Sequence, residues 1–433
     1  MAADELAAQT KAVEKAPDLS SVDPADSRTG QPARPSLNCA GVSTRVPGSG
    51  GDMAGFDCRA CRSANTTLVL DLGMVPAADT FAQASDTCED RRFPLTLYAC
   101  GDCSLVQLGP LEHPPGPEES RAVDSQTARG HAQASVGTVV EQLGLSPGQT
   151  VIELDSAHGA SWLPSFVDAG LVPLPEDAVA DLVVDVHHLM HAEDLNEVMA
   201  AHARRMAPSG HLVCEFFHVR PLVEHCLIDT IRHGHYAYLS VIALERLLAR
   251  HSLALVDAVP VDVYGGSVRS TIRHVTSAQE AHPRVAEIKR AESSLGVDGP
   301  DALLELGARG REVTTALRQH LEGLTAAGRT VAGYGAPSKA PVLLALAQVD
   351  VDLLPFTVDM APQKHGLRVA GTSIPIHPVE RLLSARPDDV VVLTWDIADE
   401  VASHLARSSA GSGWSPRLYV PLPEPRTLSL PTV

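Results

Sequence analysis

This chain of 433 residues is short of aromatic side chains, of lysine and of positive charge in general. Phe, Trp and Tyr make up 4% of it, too few for the stacking platforms on which single-stranded nucleic acids lie. The 34 Lys and Arg face 53 Asp and Glu, a net charge of −19, which disfavours a polyanion such as DNA as a partner. No apolar run is long enough to span a bilayer, so no membrane partner is expected. Cys39, Cys88, Cys214 and Cys226 have no regular spacing and give no disulfide framework. With no secretory leader in view, the expectation is a reducing cytoplasm. Lysine is the rarest charge, at five against 29 arginines. Lys11 and Lys15 lie near the start, leaving Lys289, Lys339 and Lys364 for the rest. Either these mark places that want a compact point charge, or they survive a codon bias.

What is present begins with two cysteine pairs, Cys58-x-x-Cys61 and Cys100-x-x-Cys103. Each pair puts two thiolates on one tight turn, and two turns complete a tetrahedral shell for Zn²⁺. Four thiolates leave no open position for substrate, so the predicted metal is structural. The intervening residues read as short strands at 68–72 and 93–98. A looser set (Cys214, His218, His225, Cys226, His233, His235) matches no ligand spacing.

The composition divides the chain into an arm rich in Ala, Ser, Pro and Gly (1–52), the zinc module (53–112), a first α/β domain (113–280) and a second (281–433). Pro114 to Pro117 form a linker, with a helix expected over 133–143. The first α/β stretch has apolar strands at 151–154, 181–186 and 211–216. Asp194-x-x-Glu197 reads as a capping box, and Pro208-Ser209-Gly210 as a turn. A long polar helical region runs to about residue 327. Strands are then expected at 330–334, 352–359 and 390–395, with a helix over 341–347. Such strand–turn–helix repeats form doubly wound sheets that bind ligands at the carboxyl ends of their strands. Gly333-x-Gly335-x-x-Ser338 is half a dinucleotide fingerprint. It reads better as an anion-facing turn with Lys339 near a phosphate, and Lys364 as a second contact. Gly265-Gly266 suit a turn that approaches a cleft closely.

Five segments in order resemble the sugar C-methyltransferases that act on nucleotide-linked keto-deoxysugars. They are the zinc module with Asp71-Leu72-Gly73 and Phe93-Pro94-Leu95; Val151–Gly159 at the S-adenosylmethionine (SAM) loop; Asp229–His235 followed by Tyr238-Leu239-Ser240; Tyr264–Arg269; and Gly333–Lys339 with Asp359, Lys364 and Gly366. The resemblance spans about residues 56–400. It implies a zinc module, a Rossmann-like SAM domain and a C-terminal α/β domain that helps hold the nucleotide sugar. It places Glu153 and Gly159 at the cofactor, and Lys339, Lys364, Tyr334, Gly265, Gly266 and Arg269 toward the substrate. His235, His191, Arg232 and His233 fall in the catalytic region.

Departures fall on those same positions. Asp155 stands where the family has a glycine. Only ten residues separate Gly170 from Asp181, where a SAM domain has two more strand–helix units. The family's Tyr-His-Glu-His run is here Arg232-His233-Gly234-His235. These changes predict a truncated Rossmann-like domain that has lost normal SAM use. Histidine acid/base chemistry on a small carbonyl metabolite is then expected: enolisation, elimination, isomerisation or cyclisation. The alternatives are a working SAM-dependent C-methyltransferase on a nucleotide-linked sugar and a non-catalytic partner protein.

Overall fold

In the computed structural model, residues 56–111, 125–154 and 160–432 are described. The expected arm over 1–52, the Pro114–Pro117 linker and the loop Asp155–Gly159 lie outside them. The zinc module is a sheet around two cysteine turns. Strand β1 (Thr66–Pro76) pairs antiparallel with β2 (Arg92–Cys100), and β2 with β3 (Val106–Leu108). Leu95 and Leu97 are fully buried on β2, two residues apart as one face of a strand requires. The fourth strand comes from far along the chain: Ala237–Tyr238 pairs with β3. Cys214 and Cys226 are buried free thiols.

The central region begins with helix α1 (Gln126–Leu143), capped by Ser125 and closed by Gly144 in the left-handed conformation. It starts earlier than expected. Then follow β4 (Thr150–Glu153), α2 (Leu163–Asp168), β5 (Val172–Pro173), β6 (Ala180–Val186), α3 (Leu195–Arg205), β7 (Met206–Phe217), α4 (Val241–Ala249), β8 (Leu253–Val261) and β9 (Ser267–His274). They form one sheet in the order β8-β9-β7-β6-β4-β5, with β5, β4, β6 and β7 parallel and the other two antiparallel. Leu182, Val184 and Val186 pack with Val136 and Phe166 on one face of β6, while Val183 packs with Leu195 and Met199 on the other. A strand buried on both faces explains the continuous apolar run. Asp194 caps α3 as predicted, accepting from the Asn196 and Glu197 amides. Pro208-Ser209-Gly210 is no separate turn, because β7 runs through it. Ala180 pairs with Met206 and Leu182 with His211, so the extra residues bulge within the strand.

The C-terminal region opens with helices α5 (Pro283–Leu295) and α6 (Asp301–Ala326), the expected polar stretch broken at Gly296. A second sheet comprises β10 (Val331–Tyr334), β11 (Thr357–Val358), β12 (Ile376–His377), β13 (Asp389–Val392), β14 (Arg417–Val420) and β15 (Arg426–Leu428), in the order β12-β11-β10-β13-β14-β15. Helix α7 (Ala340–Ala347) follows β10, and α8 (Ala398–Ser409) follows β13. The strand expected over 352–359 is confined to Thr357–Val358. No helix among the described residues is long and apolar enough to cross a membrane.

Candidate active site and metal centre

The two cysteine turns are built alike. The amide of Arg62 bonds the Cys58 carbonyl and that of Ser104 the Cys100 carbonyl, both at 2.9 Å. Arg62 and Ser104, the residues that follow each pair, both adopt positive φ, so the chain leaves the two turns in the same way. The Sγ atoms of Cys58 and Cys103, and of Cys61 and Cys100, are 3.5 Å apart, and all four lie within 4.8 Å of one another. Four converging sulfurs and no oxygen ligand fit Zn²⁺.

The histidines meet at the carboxyl ends of the parallel strands. Asp185, near the end of β6, accepts from the His188 and Leu189 amides and from His202 Nε2 at 2.7 Å. This buried carboxylate fixes the turn that carries His187, His188 and His191. The segment 228–238 is pinned to that turn, since the Tyr236 amide donates to the Met190 carbonyl and its own carbonyl accepts from Leu108 on β3. The His191 and His235 rings therefore pack edge to face, 4.9 Å between centroids. His235 Nδ1 lies 3.1 Å from the Thr230 carbonyl. A carbonyl only accepts, so Nδ1 carries the proton and Nε2 is the basic nitrogen. Burial, followed by the Arg232 charge, pushes His191 down to about 3, and one of its ring N–H groups faces the Gly234 carbonyl. It is thus neutral at physiological pH. Gly234 takes φ +91°, which explains a glycine there.

Other expected site residues are distributed differently. Arg232 is buried, its amide donating to Tyr238 Oη. His233 turns away from the pair, with Nε2 3.2 Å from the Pro94 carbonyl and its ring against Phe93. The Glu153 carboxylate accepts from the Trp162 and Leu163 amides and from Ser161 Oγ, so it caps α2. Gly159 lies outside the described residues. Lys339 ion-pairs with Asp396 and sits 3.9 Å above the Trp395 ring. Lys364 is buried and donates to the Ala336 carbonyl, bracing the turn after β10 rather than projecting from it. Tyr334 is buried in the C-terminal core, and burial raises its pKa. Gly265 and Gly266 lie beside Trp395 and Pro221. Arg269 is on β9 opposite Glu215.

Sequence reasoning missed Asp229 and Trp395. The indole Nε1 donates to Asp229 Oδ2 at 2.7 Å, tying the histidine segment to the C-terminal sheet. Burial raises the Asp229 carboxyl to about 6. It also missed Phe217 and Tyr264, which line a cleft with Val219, Leu227, Thr230 and Tyr238.

Family profiles match two parts of the chain: a zinc binding domain over residues 58–115 and the C-methyltransferase C-terminal domain over 262–423. The chain thus carries the zinc-binding and C-terminal domains of C-methyltransferases. It is 29% identical over 409 residues to the C-methyltransferase NovU of Streptomyces niveus, covering 86% of this chain and 97% of that protein. Among solved structures, the N-methyltransferase NodS from Bradyrhizobium japonicum WM9 overlaps 35% of this chain and 99% of its own, at 13% identity and TM-score 0.25. The mitomycin 7-O-methyltransferase MmcR overlaps 34% and 57%, at 16% identity and TM-score 0.26.

The family implies SAM, and the described residues meet it on one side only. Strands β4, β6 and β7 run parallel and adjacent, and Glu153 holds the chain entering α2. On the other side β5 has two residues, Val172 and Pro173, followed by Leu174 and Pro175. Glu176 comes only after the chain has turned back, its carbonyl accepting from Arg205 just before β7 begins. Among the described residues no carboxylate stands at the carboxyl end of β5 to take ribose hydroxyls. Nor does α1 add a strand there.

Proposed function

We propose that this protein is a C-methyltransferase that activates the carbon beside the ketone of a nucleotide-linked deoxysugar. The observation that carries the proposal is the His235 tautomer, with its basic Nε2, beside a neutral His191 and a buried Arg232. Such a base removes the proton on the carbon next to a ketone, and the C–H electron pair becomes an enolate. The Arg232 guanidinium is close enough to depress His191, and the same charge favours an enolate oxygen. When bound, SAM supplies an electrophilic methyl group. Likeness to NovU over nearly its whole length supports methyl transfer as the outcome.

The short β5 edge favours a second reading, in which the same enolate is isomerised, eliminated or cyclised without SAM. Calorimetry with SAM and S-adenosylhomocysteine separates the two. Micromolar binding, with mass gain of one methyl group on a dTDP-linked 4-keto-6-deoxyhexose, is the expected result. Folded, zinc-loaded protein that binds neither at millimolar concentration sinks methyl transfer. Under both readings His235→Gln reduces deuterium exchange beside the ketone by about 100-fold or more, read by NMR in D₂O.

A further inference from the structure

A base at His235 removes a proton only from a carbon that is held over it. The cleft beside His235 carries a side chain placed to hold a ligand. His218 directly follows β7, at the carboxyl end of the parallel strands, where sheets of this kind bind their ligands. Its amide donates to the Gly266 carbonyl at 3.1 Å, and it bridges Leu239, just past the histidine segment.

The His218 ring lies between a buried carboxylate and the cleft. Its Nε2 is 2.6 Å from Glu292 Oε1. Glu292, on α5, is fully buried, and its oxygens also accept from the Val241 and Ile242 amides at 2.6 and 3.0 Å, at the start of α4. A carboxylate held by two amides accepts, so Nε2 carries the ring proton and Nδ1 of the neutral ring presents a lone pair. The His218 side chain is 5% exposed, and the residue lines the cleft. Among the described residues nothing bonds Nδ1, and that nitrogen is not sealed from solvent. The other walls offer a polar ligand little. Leu222 and Leu227 are apolar. The Thr230 hydroxyl donates to the Leu227 carbonyl at 2.7 Å, and the Tyr238 hydroxyl accepts the Arg232 amide. Phe217 and Tyr264 are half-buried. The Phe217 ring also packs against His235, 5.6 Å between centroids, so the cleft opens beside the base.

We propose that His218 is a substrate-binding residue whose Nδ1 accepts a hydrogen bond from a hydroxyl of the sugar ring, and that Glu292 is its positioning residue. The carboxylate on Nε2 sets the tautomer and the orientation of the ring, so the acceptor is in place before the ligand arrives. In a cleft that is otherwise apolar or already bonded, this one contact also selects. An analogue without the hydroxyl leaves Nδ1 facing no donor.

This rests on the nucleotide-sugar reading above, and the test separates the two. A dTDP-linked 4-keto-6-deoxyhexose and its 2-deoxy and 3-deoxy analogues are titrated by calorimetry into full-length, zinc-loaded protein. Deuterium exchange of the parent compound is followed by NMR in D₂O. Wild type is expected to bind one analogue about 10-fold less tightly than the parent. His218→Gln keeps a nitrogen at the Nε2 position for Glu292 and removes Nδ1. It is expected to lose the same factor on the parent and to bind parent and analogue alike. Glu292→Gln is expected to weaken the parent more than that analogue and to shift the His218 ring resonances in nitrogen NMR, whereas a merely structural role weakens both compounds equally. Equal binding of all three compounds by wild type, or discrimination that His218→Gln retains, overturns the His218 assignment while exchange of the parent upholds enolisation. Wild type that binds none of the three overturns the nucleotide-sugar reading and this one together. Should His218→Gln fail to fold, the wild-type Nδ1 resonance decides: it must move with the parent and not with the weaker analogue, and a resonance that the parent leaves unmoved overturns the assignment.

Discussion

Asp229 shows how one buried carboxyl can both join two regions and weaken the fold. It has no solvent exposure, and one of its oxygens accepts the Trp395 indole N–H while the other has no hydrogen-bond partner. Burial raises its carboxyl from 3.8 to about 6, although Lys339 and the indole pull the other way. A raised acid binds its proton more tightly folded than unfolded. Stability therefore falls as pH climbs from about 4 to about 6 and stays low above that window. At 1.36 kcal/mol per pH unit the full effect is of order 2–3 kcal/mol. Asp229→Asn keeps an oxygen for the indole and cannot ionise. Urea denaturation should find the variant more stable than wild type at pH 7.5 and the gap closed near pH 4. A gap independent of pH would show that Asp229 does not titrate in this range.

At the scale of elements, much of the site was legible because its carriers are local. Cysteine turns, the Asp194 cap and apolar runs such as β6 are set by neighbours in sequence. Pairings across the chain were not legible. Nothing near Asp229 announces Trp395, and nothing near His218 announces Glu292, because each depends on two sheets or a helix and a strand meeting. Lysine scarcity drew attention to Lys339 and Lys364, yet both have partners inside the fold that the sequence did not show. Gly265-Gly266 was read for its close approach, and the structure names the neighbour. A Cβ at Gly265, at φ +85°, would lie 2.6 Å from Trp395 Cη2 and 2.9 Å from Leu227 Cδ1. Since Trp395 also holds Asp229, the ring cannot yield without releasing the histidine segment. Gly265→Ala is therefore expected to cost about 1–3 kcal/mol in urea denaturation and to slow exchange as well. Loss of stability with undiminished exchange would mean that the Trp395 contact does not position the histidines.

Across the whole molecule, the zinc module is joined to the chemistry through a single sheet. Its last strand, Ala237–Tyr238, follows His235 by one residue, and the Tyr238 hydroxyl accepts the Arg232 amide. The Leu108 amide bonds the Tyr236 carbonyl, while Tyr236 bonds the turn that bears His191. The Cys100–Cys103 turn immediately precedes β3, so a metal held by the four sulfurs would fix the strand on which the histidine segment is laid. The module also grips the C-terminal region, where Asp90 takes a bidentate bond from buried Arg368. Structural zinc contributes its binding free energy to folding, on the order of 10 kcal/mol. Its removal should thus reach far beyond the four sulfurs. Chelation, or Cys58→Ser with Cys103→Ser, is expected to release one zinc per chain by elemental analysis, lower the melting temperature and abolish deuterium exchange. Readdition of zinc to chelated wild type should restore exchange, and the double variant should not recover. Exchange that persists in metal-free protein would mean that β2 and β3 hold the histidine segment by packing alone, through Leu95, Leu97 and Val106.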